Sequence, residues 1–272
     1  MLTLESVGYR YAGAEQPSLQ EVSLELRDGE VVGLVGASES GKTTLCLVAS
    51  GLAPRTVGGR LYGRVLLDGV DIEPLAMDQL AARIGIAFAS PATQLSGVAG
   101  TVYEEVAFGP MNLGLPLLDV IERTAGALAS LRIEALADRH PTRLSGGQQQ
   151  LVAIAGLLAL RPSHLVLDEP TAQLDPAGTA MVAEALAGLA RSGASILVAE
   201  QKTDLLARIC GRVVTLAAGR VVLEGPAGQV LADPRLPELG VAAPASVRLE
   251  REAREAGISA AGLKRLRTAL AP

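Results

Sequence analysis
A chain of 272 residues, 49% of them apolar, is long enough for one large α/β domain plus a small appendage and builds a core without staples. A formal net charge of −5, with acids and bases interspersed, argues against a nucleic-acid partner, which would call for a basic face. Cys46 and Cys210 share no CxxC or Cys/His spacing, so neither a metal motif nor a disulfide framework follows; two buried thiols in a reducing cytosol fit better.

The opening stretch MLTLESVGYRY lacks the basic-then-apolar pattern of a secretory leader, and the first ninety residues read mainly as strands. EVSLELR alternates Val22, Leu24 and Leu26 and turns at Asp28-Gly29. EVVGLVG (30–36) is a continuous apolar run, expected of a strand buried on both faces. KTTLCLVASG (42–51) has helical periodicity and a glycine stop, whereas GRVLLDG (63–69) and RIGIAFA (83–89) return to strand. From about 92 to 150 the character changes: GTVYEEVAFGPMNLGLP and DVIERTAGALASLRIEALADR are predicted helical, broken at Pro110 and Pro116. Alternation then resumes with a helix from 151, strand HLVLDE (164–169), helix 176–191, strand SILVAE (195–200), a helix near 203–209 and a hairpin around Gly219. Strands alternating with helices imply a largely parallel sheet, hence an α/β fold. GVAAPASV (240–247) is a linker by composition, and the next segment pairs Glu250 with Arg254 and Arg251 with Glu255 at i,i+4, as a solvated or a docking helix would. The longest apolar run, 151–160, is about half a bilayer span, so any membrane task is expected to need a separate membrane-crossing subunit.

The chemistry concentrates in short segments. In GASESGKTT, the spacing of Gly36, Gly41, Lys42 and Thr43 after a strand and before a helix is that of a phosphate-holding loop. Its candidate cradle is Gly36, Ala37, Ser38, Glu39, Ser40, Gly41, Lys42, Thr43 and Thr44, with Lys42 on the β- and γ-phosphates and the Thr43 hydroxyl on Mg²⁺. HLVLDEP supplies the acidic half: Asp168 to hold Mg²⁺ through water and Glu169 to polarise the attacking water. LSGGQQQ (144–150) adds a second anion-type helix start built from Ser145, Gly146 and Gly147. One nucleotide needs only one such cradle.

The ordered set GASESGKTT, LSGGQQQ and LVLDEPTAQLD resembles the ATP-binding subunits of ABC transporters over about residues 1–235. That resemblance implies a RecA-like P-loop core with a parallel sheet, an N-terminal antiparallel β subdomain, an inserted helical subdomain at about 92–150 and a C-terminal helical extension over 236–272. It implies ATP and Mg²⁺ as ligands. It also implies head-to-tail pairing with a second ABC ATPase subunit, same or different, in which each signature segment completes the other chain's site. By the resemblance Tyr11 stacks on adenine, Ser145, Gly146 and Gly147 touch the partner's γ-phosphate, and Asp175 lies in the loop between sites. SPATQL and TVYEEVAFGPMNLGLP are similar to segments of energy-coupling factor importers, which take up vitamins and metal ions such as cobalt or nickel. A transmembrane partner contacted through Gln94 to Pro116, and a place on the cytoplasmic face of the membrane, follow as expectations.

The sequence departs from that family's pattern at several positions. Ala89 stands where a glutamine usually meets Mg²⁺ and water, Gln201 where a histidine meets the γ-phosphate, Leu151 after the signature glutamines in place of arginine, and Glu39 in place of glycine. Ala89 coordinates nothing, Gln201 cannot titrate, and Glu39 either faces solvent or repels ATP. The expectation is an asymmetric machine: a slow site on this chain's own P-loop and an intact signature serving another ATPase. A nucleotide-sensing regulatory subunit with little turnover, and a soluble non-transport ABC ATPase, are the alternatives.

Overall fold
The computed structural model describes residues 1–258 and Gly262; the rest of the expected extension, up to 272, lies outside the described residues. In chain order, β1 (Leu2–Arg10), β2 (Leu19–Leu26) and β3 (Val31–Val35) lead into α1 (Lys42–Ala49). Next come β4 (Arg60–Leu67), β5 (Val70–Asp71), α2 (Met77–Ala81) and β6 (Ile84–Ala87), then α3 (Val102–Asn112) and α4 (Leu117–Ser130). The second half runs α5 (Gly146–Leu160), β7 (His164–Asp168), α6 (Pro176–Arg191), β8 (Ser195–Ala199), α7 (Thr203–Ile209), β9 (Arg212–Ala217), β10 (Arg220–Pro226), α8 (Ala227–Val230) and α9 (Ala245–Glu255).

A four-stranded sheet is ordered β2-β1-β4-β5 with antiparallel neighbours, and a six-stranded sheet is ordered β10-β9-β3-β8-β7-β6. In the second sheet only β9–β10 is antiparallel; all other neighbours run parallel. Every residue of β3, β7 and β8 is buried, which is why β3 reads as an unbroken apolar run and β7 and β8 carry polar residues only at their ends. Alternation across β3 sends Val32 and Leu34 into a core shared with the antiparallel sheet and α1. It sends Val31 and Val35 into a core shared with α3 to α6.

Parallel register aligns the strand ends. Ala199 pairs with Leu34 on one side and with Asp168 on the other, so the segments that follow β3, β7 and β8 emerge together at one edge of the sheet. Arg212 ties that sheet to the antiparallel one: its guanidinium donates to both Glu30 carboxylate oxygens at 2.8 and 2.9 Å, and also to Glu224 and the Glu25 carbonyl.

Three local expectations change. Pro110 sits inside α3 rather than ending it, because it lies in the last turn, where its missing N–H removes a single bond to the Val106 carbonyl. The segment predicted to be helical to Arg139 stops at Ser130, where Arg132 takes a left-handed φ of 53°. The compositional linker is packed: Val241 and Ala243 are buried, Thr203 Oγ1 donates to the Ala242 carbonyl at 2.8 Å, and Ala245 N–H donates to Asp204 at 2.8 Å. Among the described residues no helix is long and apolar enough to cross a membrane.

Candidate active site
The loop after β3 is shaped by two glycines that no other residue could replace. A Cβ at Gly36 would fall 2.4 Å from the Leu216 carbonyl, and Gly41, at φ +107°, would put one 2.8 Å from the Ser18 carbonyl. Gly41 caps α1 with no side-chain bond, so its N-cap position offers the first-turn N–H groups of α1 no capping acceptor. Lys42 is buried to 6% exposure and turns its ammonium back onto the Gly36 and Ala37 carbonyls at 2.8 and 2.9 Å. A phosphate would replace those neutral acceptors with charged ones.

A cavity of about 720 Å³ opens over this loop, lined by Ser38, Glu39, Lys42, Thr43, Glu169 and Gln201 among others. Glu39 is exposed on its wall with φ 62°, a left-handed conformation that explains why glycine is the usual occupant. Asp168, the last residue of β7 and the neighbour of Glu169, is 6% exposed and keeps Oδ1 buried without a partner. Burial pushes its carboxyl above the ordinary range, and the nearby charges of Glu169 and Glu200 add to this against the opposing pull of the Thr43 hydroxyl and Lys42. A desolvated carboxylate with a free oxygen beside a threonine hydroxyl fits a hard divalent cation such as Mg²⁺.

Glu169 adopts a left-handed φ of 51°, with its N–H on the Ala199 carbonyl at 2.8 Å. This sharp turn at the end of β7 aims its carboxylate to the cavity, where Gln201 Nε2 donates to it at 2.7 Å. Ala89 contributes only its carbonyl, which accepts from Gln173 Nε2 at 3.3 Å.

Other expected residues do not line this cavity. Tyr11 is half-buried, edge-on to Tyr9 with centroids 4.9 Å apart, and its hydroxyl lies 3.1 Å from Thr44 Oγ1. Ser145 and Gly146 are exposed elsewhere and Gly147 is half-buried; Ser145 Oγ caps α5 by accepting from Gln148 N–H at 3.3 Å. Asp175 caps α6 by accepting from Gly178 N–H at 2.7 Å. Gln94 is turned inward, bonding Phe88 N–H at 3.0 Å and the Ile86 carbonyl at 3.2 Å, so its side chain is not free for a partner. Gln16, Ser18, Gln20 and the Ala218–Gly219 turn also form the cavity wall, and sequence reading missed them. No local motif marks them; Gly219 alone gave a signal, as the turn of a predicted hairpin whose N–H bonds the Ser40 carbonyl at 3.0 Å.

Residues 19–172 match the family model described as ABC transporter. The chain is 39% identical over 246 residues to the energy-coupling factor transporter ATP-binding protein EcfA2 of Symbiobacterium thermophilum, covering 89% of this chain and 83% of that protein. Among solved structures it resembles cbiO1 of Clostridium perfringens, described as part of the ABC transporter complex cbiONQ. That likeness has a TM-score of 0.76 and 31% identity, covering 94% of this chain and 98% of the other. It also resembles the dimeric, post-hydrolysis cassette MJ0796 bound to ADP and Pi, with a TM-score of 0.73 and 28% identity over 84% of this chain and 99% of that one.

Proposed function
This chain belongs to the ABC transporter family and is an ATPase subunit of the energy-coupling factor type, and from that premise we propose that it powers uptake of a vitamin or metal ion as one half of a two-chain motor. The observation that carries this reading is a separation. Lys42, Thr43, Glu169 and Gln201 share one cavity, with Asp168 next to Glu169 in the chain, while Ser145 and Gly146 are exposed outside it. A site with its γ-phosphate side open and a second anion-type helix start left unused suits a partner that supplies the missing face. The relative whose structure is described as dimeric with ADP and Pi supports the same arrangement.

In this mechanism Lys42 neutralises the β- and γ-phosphates, and Asp168 and Thr43 would hold Mg²⁺, which would supply further positive charge against the triphosphate. Glu169 accepts the proton of the attacking water, and Gln201 orients that carboxylate through its amide. With Ala89 offering no polar side chain and Gln201 no charge, this chain's own site is the slower of two, and its signature serves the faster one. The membrane partner docks on α3, α4 and the loop before them. There Val98, Met111, Leu117 and Leu118 are 62–79% exposed, an apolar patch at odds with a free surface. Such docking puts the chain on the cytoplasmic face of the membrane.

The test is ATP turnover by the purified chain alone and with its co-purifying ATPase. We expect slow hydrolysis alone, and faster hydrolysis in the pair that falls when Ser145 of this chain is replaced by Arg. Brisk turnover by the lone chain, abolished in Glu169→Gln, would overturn the asymmetric arrangement. ATP binding with no turnover in any assembly would favour the nucleotide-sensing alternative that Ala89 and Gln201 raise.

A further inference from the structure
Gln201 is held from both sides. Before it, the Glu200 carboxylate, 2% exposed, accepts from the Thr171 hydroxyl at 2.6 Å and the Thr171 N–H at 3.3 Å. After it, Lys202 directs its ammonium to the Thr171 carbonyl at 2.6 Å, the Leu174 carbonyl at 3.1 Å and Thr179 Oγ1 at 3.3 Å. An ammonium has three protons, and here all three go to the stretch that runs from Thr171 into α6. The residues flanking Gln201 are thus fastened to a different segment of chain, 171–179.

That segment also reaches the other way. Gln173 Nε2 bonds the Ala89 carbonyl, and its Oε1 lies 2.6 Å from where a Cβ on Gly146 would stand. One short loop therefore touches the Ser145–Gly147 helix start at one end and grips both neighbours of Gln201 at the other. Since Gln201 in turn donates to Glu169 at 2.7 Å, an unbroken series of contacts joins the signature segment to the proposed base.

We infer that Lys202, with Glu200, is a positioning residue: it ties loop 171–175 to Gln201, so that Glu169 is held in its hydrolytic orientation only when the loop is in place. The inference rests on the proposed reading of Glu169 as base and adds what sets its geometry. It also assigns the loop a task within one chain, reporting the state of the signature segment to the chain's own site. Neither lysine nor glutamate touches the reacting atoms; each acts through Gln201.

The experiment measures the steady-state ATP turnover of the purified full chain alone, where every hydrolytic site is its own, for Lys202→Met, Lys202→Arg, Thr171→Val and the Lys202→Met/Thr171→Val double variant. An orienting role predicts kcat lower by about tenfold to a hundredfold in Lys202→Met, with KM for ATP within about twofold of wild type. Lys202→Arg keeps the donors and recovers most of the rate. Because the bracket works as a unit, the double variant is no more than about twofold slower than the slower single variant. A merely structural lysine would instead lower the melting temperature and shift KM and kcat together. Should Lys202→Met fail to bind nucleotide, Thr171→Val, which removes only a hydroxyl from the Glu200 side, decides alone by the same kcat and KM split. Unchanged kcat in Lys202→Met, or in Thr171→Val where that variant decides, would overturn the inference while Glu169→Gln still abolishes turnover. Turnover that survives Glu169→Gln is a different failure: it removes the proposed base, and with it anything for Lys202 to position.

Discussion
Gln201 and Glu169 meet at 2.7 Å, amide donor to carboxylate, across the ends of β8 and β7. An amide holds the carboxylate without adding charge and without titrating. Replacing it by alanine is expected to lower kcat by about tenfold to a hundredfold with little change in KM, because the lost contact orients rather than binds. Gln201→His should add a limb to the pH profile near about 6.5 that the native chain lacks. A native kcat profile already bending there would contradict this account.

Glu39 combines a left-handed φ of 62° with a place on the cavity wall. Glu39→Gly removes strain of about 1 kcal/mol, which corresponds to a melting temperature higher by about 2–4 °C. It also removes a negative charge facing a polyanion, so KM for ATP should fall severalfold at low salt and less at high salt. Equal KM values at low ionic strength would place the carboxylate's field outside the nucleotide's reach.

Burial raises the Asp168 carboxyl above the ordinary aspartate value of 3.8, with Glu169 and Glu200 adding to the shift. The folded state then binds the proton more readily than the unfolded chain. Stability without nucleotide therefore declines as pH rises from 3.8 through the raised value. Asp168→Asn should melt higher than wild type at pH 7 in the absence of Mg-ATP, with the gain shrinking toward pH 4. The same variant should lose the stabilisation that Mg-ATP gives the native chain. A lower melting point for Asp168→Asn at pH 7 would contradict the burial argument.

Arg212 serves two sheets, and its side chain is 18% exposed, as is that of Glu30. Burial alone would raise the Glu30 carboxyl; the Arg212 hydrogen bonds and charge outweigh it and set it below the ordinary 4.5. Arg212→Met leaves Glu30 without its cation and is expected to lower stability by about 2 kcal/mol, or about 4–8 °C in melting temperature. A depressed carboxyl stabilises above 4.5 and stops doing so as pH falls through its folded value, so the difference between wild type and variant narrows in acid. Denaturant melts at pH 7 and pH 4 would read this directly.

The strands that carry the site were legible because burial on both faces favours apolar residues: VVGLV is apolar throughout, and HLVLD and SILVA keep an apolar centre with polar residues only at their ends. The helix ends were less so. Nothing local to Pro110 says that α3 has already made most of its bonds, and the packing of Val241 and Ala243 depends on α7, distant in the chain. At the candidate site, Lys42 and Thr43 could be read from the loop's spacing, and Asp168 and Glu169 from the apolar strand they end, taken together with that loop. Gln16, Ser18 and Gln20 could not, since this segment reaches the cavity through contacts far away in sequence, such as the Gln20 N–H on the Gly219 carbonyl at 2.8 Å. Lys202 reads as an ordinary surface cation until the loop from Thr171 to Thr179 folds onto it.

The cap on α5 has one further consequence. Ser145 Oγ receives the Gln148 N–H through a lone pair, which leaves its own proton unspent and available to an outside acceptor. Aspartate caps a helix as well as serine does but brings no proton and a full negative charge. In the proposed two-chain motor, Ser145→Asp would therefore leave this chain as stable as before and make it useless to its neighbour, turning a shared engine into one with a single working cylinder.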